Sequence, residues 1–116
     1  MMIETTAGVP ITDELLKNYF RNLVNQFFKI LPIRESEVDS LTTYMQSLQA
    51  ELLGCQGIIV YLKEDPSYLT LLAILQYLID NPDCSVREVK REVFKAISVC
   101  NRLKATLIEQ LGDEVV

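Results

Sequence analysis

The chain has 116 residues, 49% of them apolar, a composition typical of a single globular domain that can bury its own core. Its 11 basic and 16 acidic residues give a net charge of −5, which argues against a dedicated nucleic-acid-binding protein because Lys and Arg make the phosphate contacts. Histidine is absent, which removes the commonest general base and most zinc sites, and the sequence contains no glycine motif for phosphate binding. We therefore expect no catalytic activity, no cofactor and no metal site.

The cysteines and the hydropathy pattern favour a cytoplasmic protein. Three cysteines cannot all pair within one chain, and two of them, Cys55 and Cys100, fall on apolar helix positions where cysteine packs as a small apolar residue. Cys84 lies in a predicted loop and is the one plausible reactive thiol. The N-terminus has no signal-peptide pattern, and the longest uncharged stretch beyond it, 66–79, is shorter than the ~20 residues that cross a bilayer. We expect no membrane association.

Residues 1–11 are predicted to form a flexible tail, and a first helix follows. Thr12 is a favourable N-cap, and Asp13 and Glu14 place negative charge at the positive end of the helix dipole. We expect this helix to stop at Pro32. Its apolar residues come in adjacent pairs, which wind around the helix and predict different partners at its two ends: Leu15 and Leu16, Tyr19 and Phe20, Leu23 and Val24, Phe27 and Phe28, and Ile30 and Leu31.

The second predicted helix begins at Ser36, which forms a capping signature with Asp39. An apolar repeat with alternating steps of three and four places one seam of this helix against a neighbour: Val38, Leu41, Met45, Leu48, Leu52, Cys55, Ile59 and Leu62. The repeat predicts helix through its last member, whereas the β-branched residues of 57–62 leave a strand open as the alternative. Small residues on the opposite side would let another backbone approach: Ser47, Ala50, Gly54 and Gly57.

The fourth predicted helix begins with a capping box formed by Ser85 and Glu88. It is expected to run to about Leu111, where Gly112 stops it and leaves 113–116 as a C-terminal tail. Its buried seam follows the same alternating rule: Val86, Val89, Val93, Ala96, Cys100, Leu103 and Leu107.

Together these patterns predict an all-α fold: a four-helix up-down bundle within one domain, 12–112. Two long helices carry the heptad patterns, and between them lies a short third helix, 66–80, which is apolar nearly all round and therefore predicted to be buried. One register of the long helices, which would run parallel, brings Glu37 opposite Lys90 and Glu51 opposite Lys104 in ion pairs of the coiled-coil type.

Four basic residues share one face of the fourth helix, and this is the clearest candidate binding surface. Between Cys84 and Leu107 the chain has six basic and two acidic residues, so a positive stripe lies on an otherwise acidic protein. Such a stripe suits nucleic acid or a small anionic ligand, and the alternative is an ordinary solvated face. The candidate anion-binding residues are Arg87, Arg91, Lys95 and Arg102.

A second candidate surface is apolar or small and indicates self-association. Two residues beside the seam of the fourth helix widen its apolar face, which favours either a further partner within the bundle or a dimer contact, and the small residues of the second helix permit close approach. We expect a homo-oligomer, most simply a dimer, with a host or phage protein as a possible further partner. The candidate interface residues are Ala50, Gly54, Gly57, Phe94 and Ile97.

Two stretches, LPIRESEVDSLTTYMQSLQAELLG (31–54) and SVREVKREVFKAISVC (85–100), resemble small uncharacterised helical proteins encoded by phages and mobile elements of Gram-positive bacteria. The resemblance implies no activity and no catalytic residues. It implies a cytoplasmic accessory protein that acts in phage or mobile-element biology by binding. The sequence thus predicts a non-catalytic protein that works through protein–protein interaction and self-association, with nucleic-acid or anion binding as the alternative.

Overall fold

A computed structural model describes the backbone of residues 2–36 and 38–115 and the side chains of residues 2–34 and 40–107. This part of the chain is mostly helical, and its four long helices pack together, in agreement with the predicted all-α class. The helices are α1 (Asp13–Phe28), α2 (Ile30–Ser36), α3 (Val38–Ile58), α4 (Pro66–Asp80) and α5 (Val86–Val115), and a 3-10 helix (Val60–Lys63) lies between α3 and α4.

Three helices have a side-chain N-cap, and those at Thr12 and Ser85 were predicted. The Thr12 hydroxyl accepts a hydrogen bond from the Leu15 N–H at 3.2 Å, and the Asp65 carboxylate accepts one from the Tyr68 N–H at 3.0 Å. The Ser85 hydroxyl accepts in the same way from the N–H three residues later, at 3.1 Å. Each side chain satisfies a backbone donor that has no partner within its own helix, which fixes where the helix begins. The predicted cap formed by Ser36 and Asp39 lies outside the described side chains.

The first helix ends earlier than predicted. It stops at Phe28, and the chain then forms α2, in which Pro32 is the third residue. The predicted stop at Pro32 is therefore wrong. Proline is tolerated in the first turn of a helix, because an N–H at these positions has no partner within the helix. Pro32 thus supports the start of a new helix rather than the end of an old one.

The segment predicted as a flexible tail has regular structure instead. Strand β1 (Met2–Ile3) pairs antiparallel with β2 (Ile11–Thr12), and the connection passes through Gly8 at a φ of 82°, a value that favours glycine. Thr5 then forms an isolated antiparallel bridge to Ile59, supported by hydrogen bonds from the Thr6 N–H to the Ile58 carbonyl at 2.8 Å and from the Val60 N–H to the Glu4 carbonyl at 3.2 Å.

This pairing explains the end of α3, where neither sequence-based alternative holds in full. The helix stops at Ile58 instead of reaching Leu62, and within 57–62 only Ile59 takes part in β-type pairing before the 3-10 helix begins. The apolar repeat continues because Ile59 and Leu62 are both buried, but the backbone on either side of Ile59, the Ile58 carbonyl and the Val60 N–H, bonds to the N-terminal segment instead of continuing the helix. An apolar repeat therefore predicts which side chains are buried, but it does not specify whether the backbone that carries them is helical.

The last helix is longer than predicted. The backbone of α5 is helical through Gly112 to Val115, so the predicted stop at Gly112 is wrong and residues 113–115 of the predicted C-terminal tail are helical; residue 116 lies outside the described residues. A glycine inside a helix costs about 1 kcal/mol relative to alanine, which weakens a helix without necessarily ending it.

The core lies where α5 packs against α1 and α4, with α4 also packed against α3. The α3 and α4 helices run antiparallel, since the Tyr68 hydroxyl donates to the Leu52 carbonyl at 2.7 Å and the Gln49 amide donates to Gln76 at 2.7 Å. By contrast, α1 and α3 pack less closely than these neighbouring pairs. At one end they are tied by the Tyr44 hydroxyl, which donates to the Gln26 carbonyl at 2.8 Å.

Candidate functional site

The predicted basic face of α5 is exposed, but a buried carboxylate occupies its middle. The four candidate residues Arg87, Arg91, Lys95 and Arg102 are all exposed. Glu92 is buried beside them, and its carboxylate lies 3.5 Å from the Arg91 guanidinium and 3.3 Å from the Lys95 ammonium. Two of the four cations therefore have an acidic partner within the protein, which weakens this face as a phosphate-binding surface.

The five candidate interface residues do not form one surface. Ile97 is buried in the core, so it packs within the bundle and its assignment to an interface is corrected: α5 packs against both α1 and α4, which buries a wider face than its heptad seam. Phe94 is half exposed and packs edge-on against Phe28 of α1, with ring centroids 5.9 Å apart. The other three candidates are exposed and lie on a different helix, α3: Ala50, Gly54 and Gly57.

A groove of about 540 Å³ separates the first half of α1 from the C-terminal half of α3. We call it the α1–α3 groove. Leu15 of α1 and Ile58 of α3 line it with 57% and 52% of their surfaces exposed, so two large apolar side chains are uncovered at the same depression. The other lining residues are mostly apolar: Ile11, Leu16, Asn18, Tyr19, Asn22, Glu51, Gly54, Cys55 and Ile59.

A second cavity, of about 250 Å³, extends the groove towards the other end of α1. Glu51 lines both cavities, so they meet at this residue. The second cavity is more polar and is lined by Gln26, Lys29, Tyr44, Ser47, Leu48 and Glu51. The depression between α1 and α3 is therefore elongated, apolar at the end near the N-terminal hairpin and polar at the opposite end.

Tyr19 and Cys55 form the floor of the apolar end, and Tyr68 is buried next to both. The Tyr68 hydroxyl is used in its bond to Leu52, whereas the Tyr19 hydroxyl is buried beside Tyr68 and Cys55 and forms no hydrogen bond with the described residues. Burial raises the pKa of both tyrosines and of the Cys55 thiol, so all three groups stay neutral near physiological pH. The floor is therefore uncharged, and one hydroxyl retains its hydrogen-bonding capacity.

Glu51 supplies the charge of the groove. It is the one ionisable carboxylate or cation among the residues that line the larger cavity, and it forms no ion pair within the described residues. After burial, its charge is the next cause that raises the pKa of Tyr44, which lies seven residues earlier on α3 and lines the second cavity with it. The predicted pairing with Lys104 is wrong, because α1 rather than α5 lies opposite this side of α3. Glu37, which the same register pairs with Lys90, lies outside the described residues.

The glycine on the wall of the groove gives a stability prediction. A Cβ atom at Gly54 would have no other atom within 4 Å, and the backbone there is helical. Gly54→Ala should therefore raise the free energy of unfolding by about 0.5–1 kcal/mol, because alanine loses less backbone entropy on forming a helix. Urea denaturation followed by circular dichroism measures this change. A destabilised variant would show that the free chain already packs a backbone against Gly54.

The three thiols should react at different rates in the folded protein. Burial raises the pKa of Cys100 to about 12, and this fully buried thiol should be labelled only as the protein unfolds. Cys84 and Cys55 are half-buried with raised pKa values, so both should react more slowly than free cysteine but faster than Cys100. Timed alkylation near pH ~8 with peptide mass spectrometry gives the order. Equal rates at Cys100 and Cys55 would contradict the described packing.

Sequence reasoning missed the groove, although two signals pointed towards it. The adjacent apolar pairs of α1 form a stripe too wide for the neighbours it has, which leaves Leu15 uncovered while Leu16 is buried. The small residues of α3 were identified, but not the helix that faces them. Arg34 was also missed: its guanidinium donates to the Cys84 carbonyl at 3.2 Å and ties α2 to the loop before α5.

Comparison with known proteins adds no family. No family model matches the chain, and no significant match exists among curated proteins or solved structures. Within the described residues, His, Cys, Asp and Glu side chains do not gather in a group of three that could hold a metal ion. No helix in this part of the chain combines the length and apolar character needed to span a membrane.

Proposed function

We propose that this chain is a non-catalytic binding protein that receives an apolar helix of a partner protein in the α1–α3 groove. The observation that carries the proposal is the exposure of Leu15 and Ile58 on the facing walls of a 540 Å³ depression. Grooves that bind amphipathic helices present apolar walls of this kind and receive side chains spaced three, four and seven residues apart. An up-down bundle of α1, α3, α4 and α5 that is open between α1 and α3 supports the proposal, because a further helix would close it.

The shape of the groove favours a helix over a compact small molecule. Its α1 wall extends from Leu15 to Lys29, which corresponds to about 20 Å at ~1.5 Å per helical residue. A helix of about 14 residues covers this length. The absence of a side chain at Gly54 removes an obstacle in the middle of the α3 wall, so a partner helix can approach closely.

A selection for helical peptides tests the proposal on the full chain. A display library of about 14-residue helical peptides, apolar along one face, should yield binders whose affinity falls at least about tenfold, or ~1.4 kcal/mol, when Leu15 or Ile58 becomes Asp. Bound peptide should also slow the alkylation of Cys55, which lines the groove, without slowing that of Cys84.

Matched controls are available on α3 and on the neighbouring α4. Leu53 of α3 and Leu69 of α4 are 51% and 44% exposed and do not line the groove, so Leu53→Asp and Leu69→Asp should leave binding unchanged. If the selected peptides lose affinity equally in controls and groove variants, or if no peptide is selected, the proposed function is wrong.

Self-association is the same proposal with a second copy of the chain as the partner. A homodimer formed through the groove should dissociate in Leu15→Asp and Ile58→Asp and persist in the two control variants. Sedimentation equilibrium measures this. A monomer mass at the highest accessible concentration would reject the dimer and leave helix binding to be decided by the peptides.

A second candidate function is nucleic-acid or anion binding by the basic face of α5, supported by the exposure of all four cations. Affinity for DNA or RNA should then fall steeply between about 50 and about 200 mM salt. The double variant Arg87→Ala, Arg102→Ala should reduce the slope of log affinity against log salt concentration more than the double variant Arg91→Ala, Lys95→Ala. The reason is that Glu92 already pairs with Arg91 and Lys95. No binding at low salt would reject it.

An accessory role in phage or mobile-element biology and a cytoplasmic location are further parts of our proposal, and they rest on the sequence alone.

A further inference from the structure

Both walls of the α1–α3 groove change from apolar to polar in the same direction. Along α1 the lining passes from Leu15 through Asn18 to Asn22, and along α3 it passes from Ile58 to Glu51. Leu15 and Asn22 are seven residues apart, as are Ile58 and Glu51, and seven residues make two helical turns, or about 10.5 Å. The groove therefore presents an apolar end and, two turns away, a level at which both walls are polar and one carries negative charge.

The polar level has an unneutralised carboxylate. Glu51 has no ion pair within the described residues, and the groups nearest to it in the groove, Tyr19, Tyr44 and Cys55, are neutral with pKa values raised by burial. Lys29 lines the far cavity but does not come within ion-pair distance of a carboxylate among the described side chains. A cation brought to this level would meet an unpaired acid flanked by two asparagines.

We propose that the groove selects a basic amphipathic helix: one whose apolar residues enter the Leu15 and Ile58 end and whose Lys or Arg, two turns away on the same face, pairs with Glu51. This inference rests on the proposed function and adds the chemistry of the partner. Charge complementarity of this kind gives specificity, because a helix with Asp or Glu at the same position would place like charges together. The expected pattern in a partner is an apolar residue and a basic residue spaced i and i+7, in either chain direction.

The peptide library described above tests this inference when the residues at every position outside the apolar end are randomised. Peptides selected on the unmodified chain should be enriched in Lys or Arg seven residues from the apolar anchor. Peptides selected on Glu51→Lys should carry Asp or Glu there instead. Glu51→Lys should lower the affinity of a basic peptide about tenfold or more, and the matching Lys→Glu change in the peptide should restore it. Glu64→Lys, an exposed charge change outside the groove, should have no such effect.

The outcomes separate the inference from the function on which it rests. Peptides that depend on Leu15 and Ile58 but show no charge preference, or whose affinity does not change in Glu51→Lys, would overturn the inference and leave helix binding intact. Peptides indifferent to Leu15 and Ile58, or a selection that yields none, would overturn both. A second copy of this chain that displaces the peptides would identify the self-associated form as an occupant and would overturn the choice of a separate partner.

Discussion

Replacing Tyr68 by Ala is expected to lower the free energy of unfolding by about 3–5 kcal/mol, the range for removing a large aromatic side chain from a packed core. Tyr68 is completely buried, and it reaches from α4 to the Leu52 carbonyl of α3 with a hydrogen bond of 2.7 Å. It also lies next to Tyr19, which lines the groove. The variant therefore loses packing between α3 and α4 as well as the packing that supports Tyr19 in the proposed binding site.

Tyr68→Phe separates the packing from the hydrogen bond. It keeps the ring and removes only the hydroxyl, so it should cost about 0.5–1.5 kcal/mol. Tyr77→Phe is the control, because Tyr77 is largely exposed and its loss of a hydroxyl should be nearly neutral. Urea denaturation curves give all three values. A loss below about 1 kcal/mol for Tyr68→Ala would contradict the described contact between α3 and α4.

Ile3→Ala should lower the free energy of unfolding by about 2–5 kcal/mol, an effect expected of a core residue and not of a flexible tail. Ile3 is buried in β1 and belongs to the same core cluster as the helices. The hairpin holds Ile11 on one wall of the groove and places Thr5 against Ile59. The substitution should therefore also weaken peptide binding.

Val9→Ala provides the matched control, since Val9 belongs to the same N-terminal segment but is 68% exposed. Its effect on stability should remain within about 0.5 kcal/mol. Thermal and urea denaturation of both variants measure the difference. Equal and small effects would mean that the N-terminal segment does not contribute to the core.

The proposed function depends on how the helices are distributed around the core. The α5 helix has a wide buried face because it packs against both α1 and α4, and α4 completes its packing with α3. The groove is left where α1 and α3 face each other without comparable packing. A binding module needs such an incomplete surface, because a bundle closed on every side has no apolar area left to exchange with a partner.

The sequence by itself determined most of the secondary structure and much of the core. The caps at Thr12, Asp65 and Ser85 were predictable because their side chains bond to backbone groups within three residues. The buried side of α3 was also predictable, since Leu41, Met45, Leu48 and Leu52 lie at helical spacing and are all buried. Interactions of this kind are local, so the residues that form them can be recognised within a single short stretch of sequence.

Only the tertiary structure decided the features that form the candidate site. The pairing of Thr5 with Ile59 joins residues far apart in the sequence, and it converts a predicted tail and a predicted helix end into one unit. The sequence located Glu51 correctly on α3, but the helix opposite it is α1 and not α5. The sequence also placed Ile97 on an apolar face of α5, but this face is buried within the bundle and not in an interface. A periodic pattern shows which side of a helix is apolar, but it carries no information on which helix covers that side. Whether α1 and α3 close against each other depends on the packing of all the helices together, and this left the groove open.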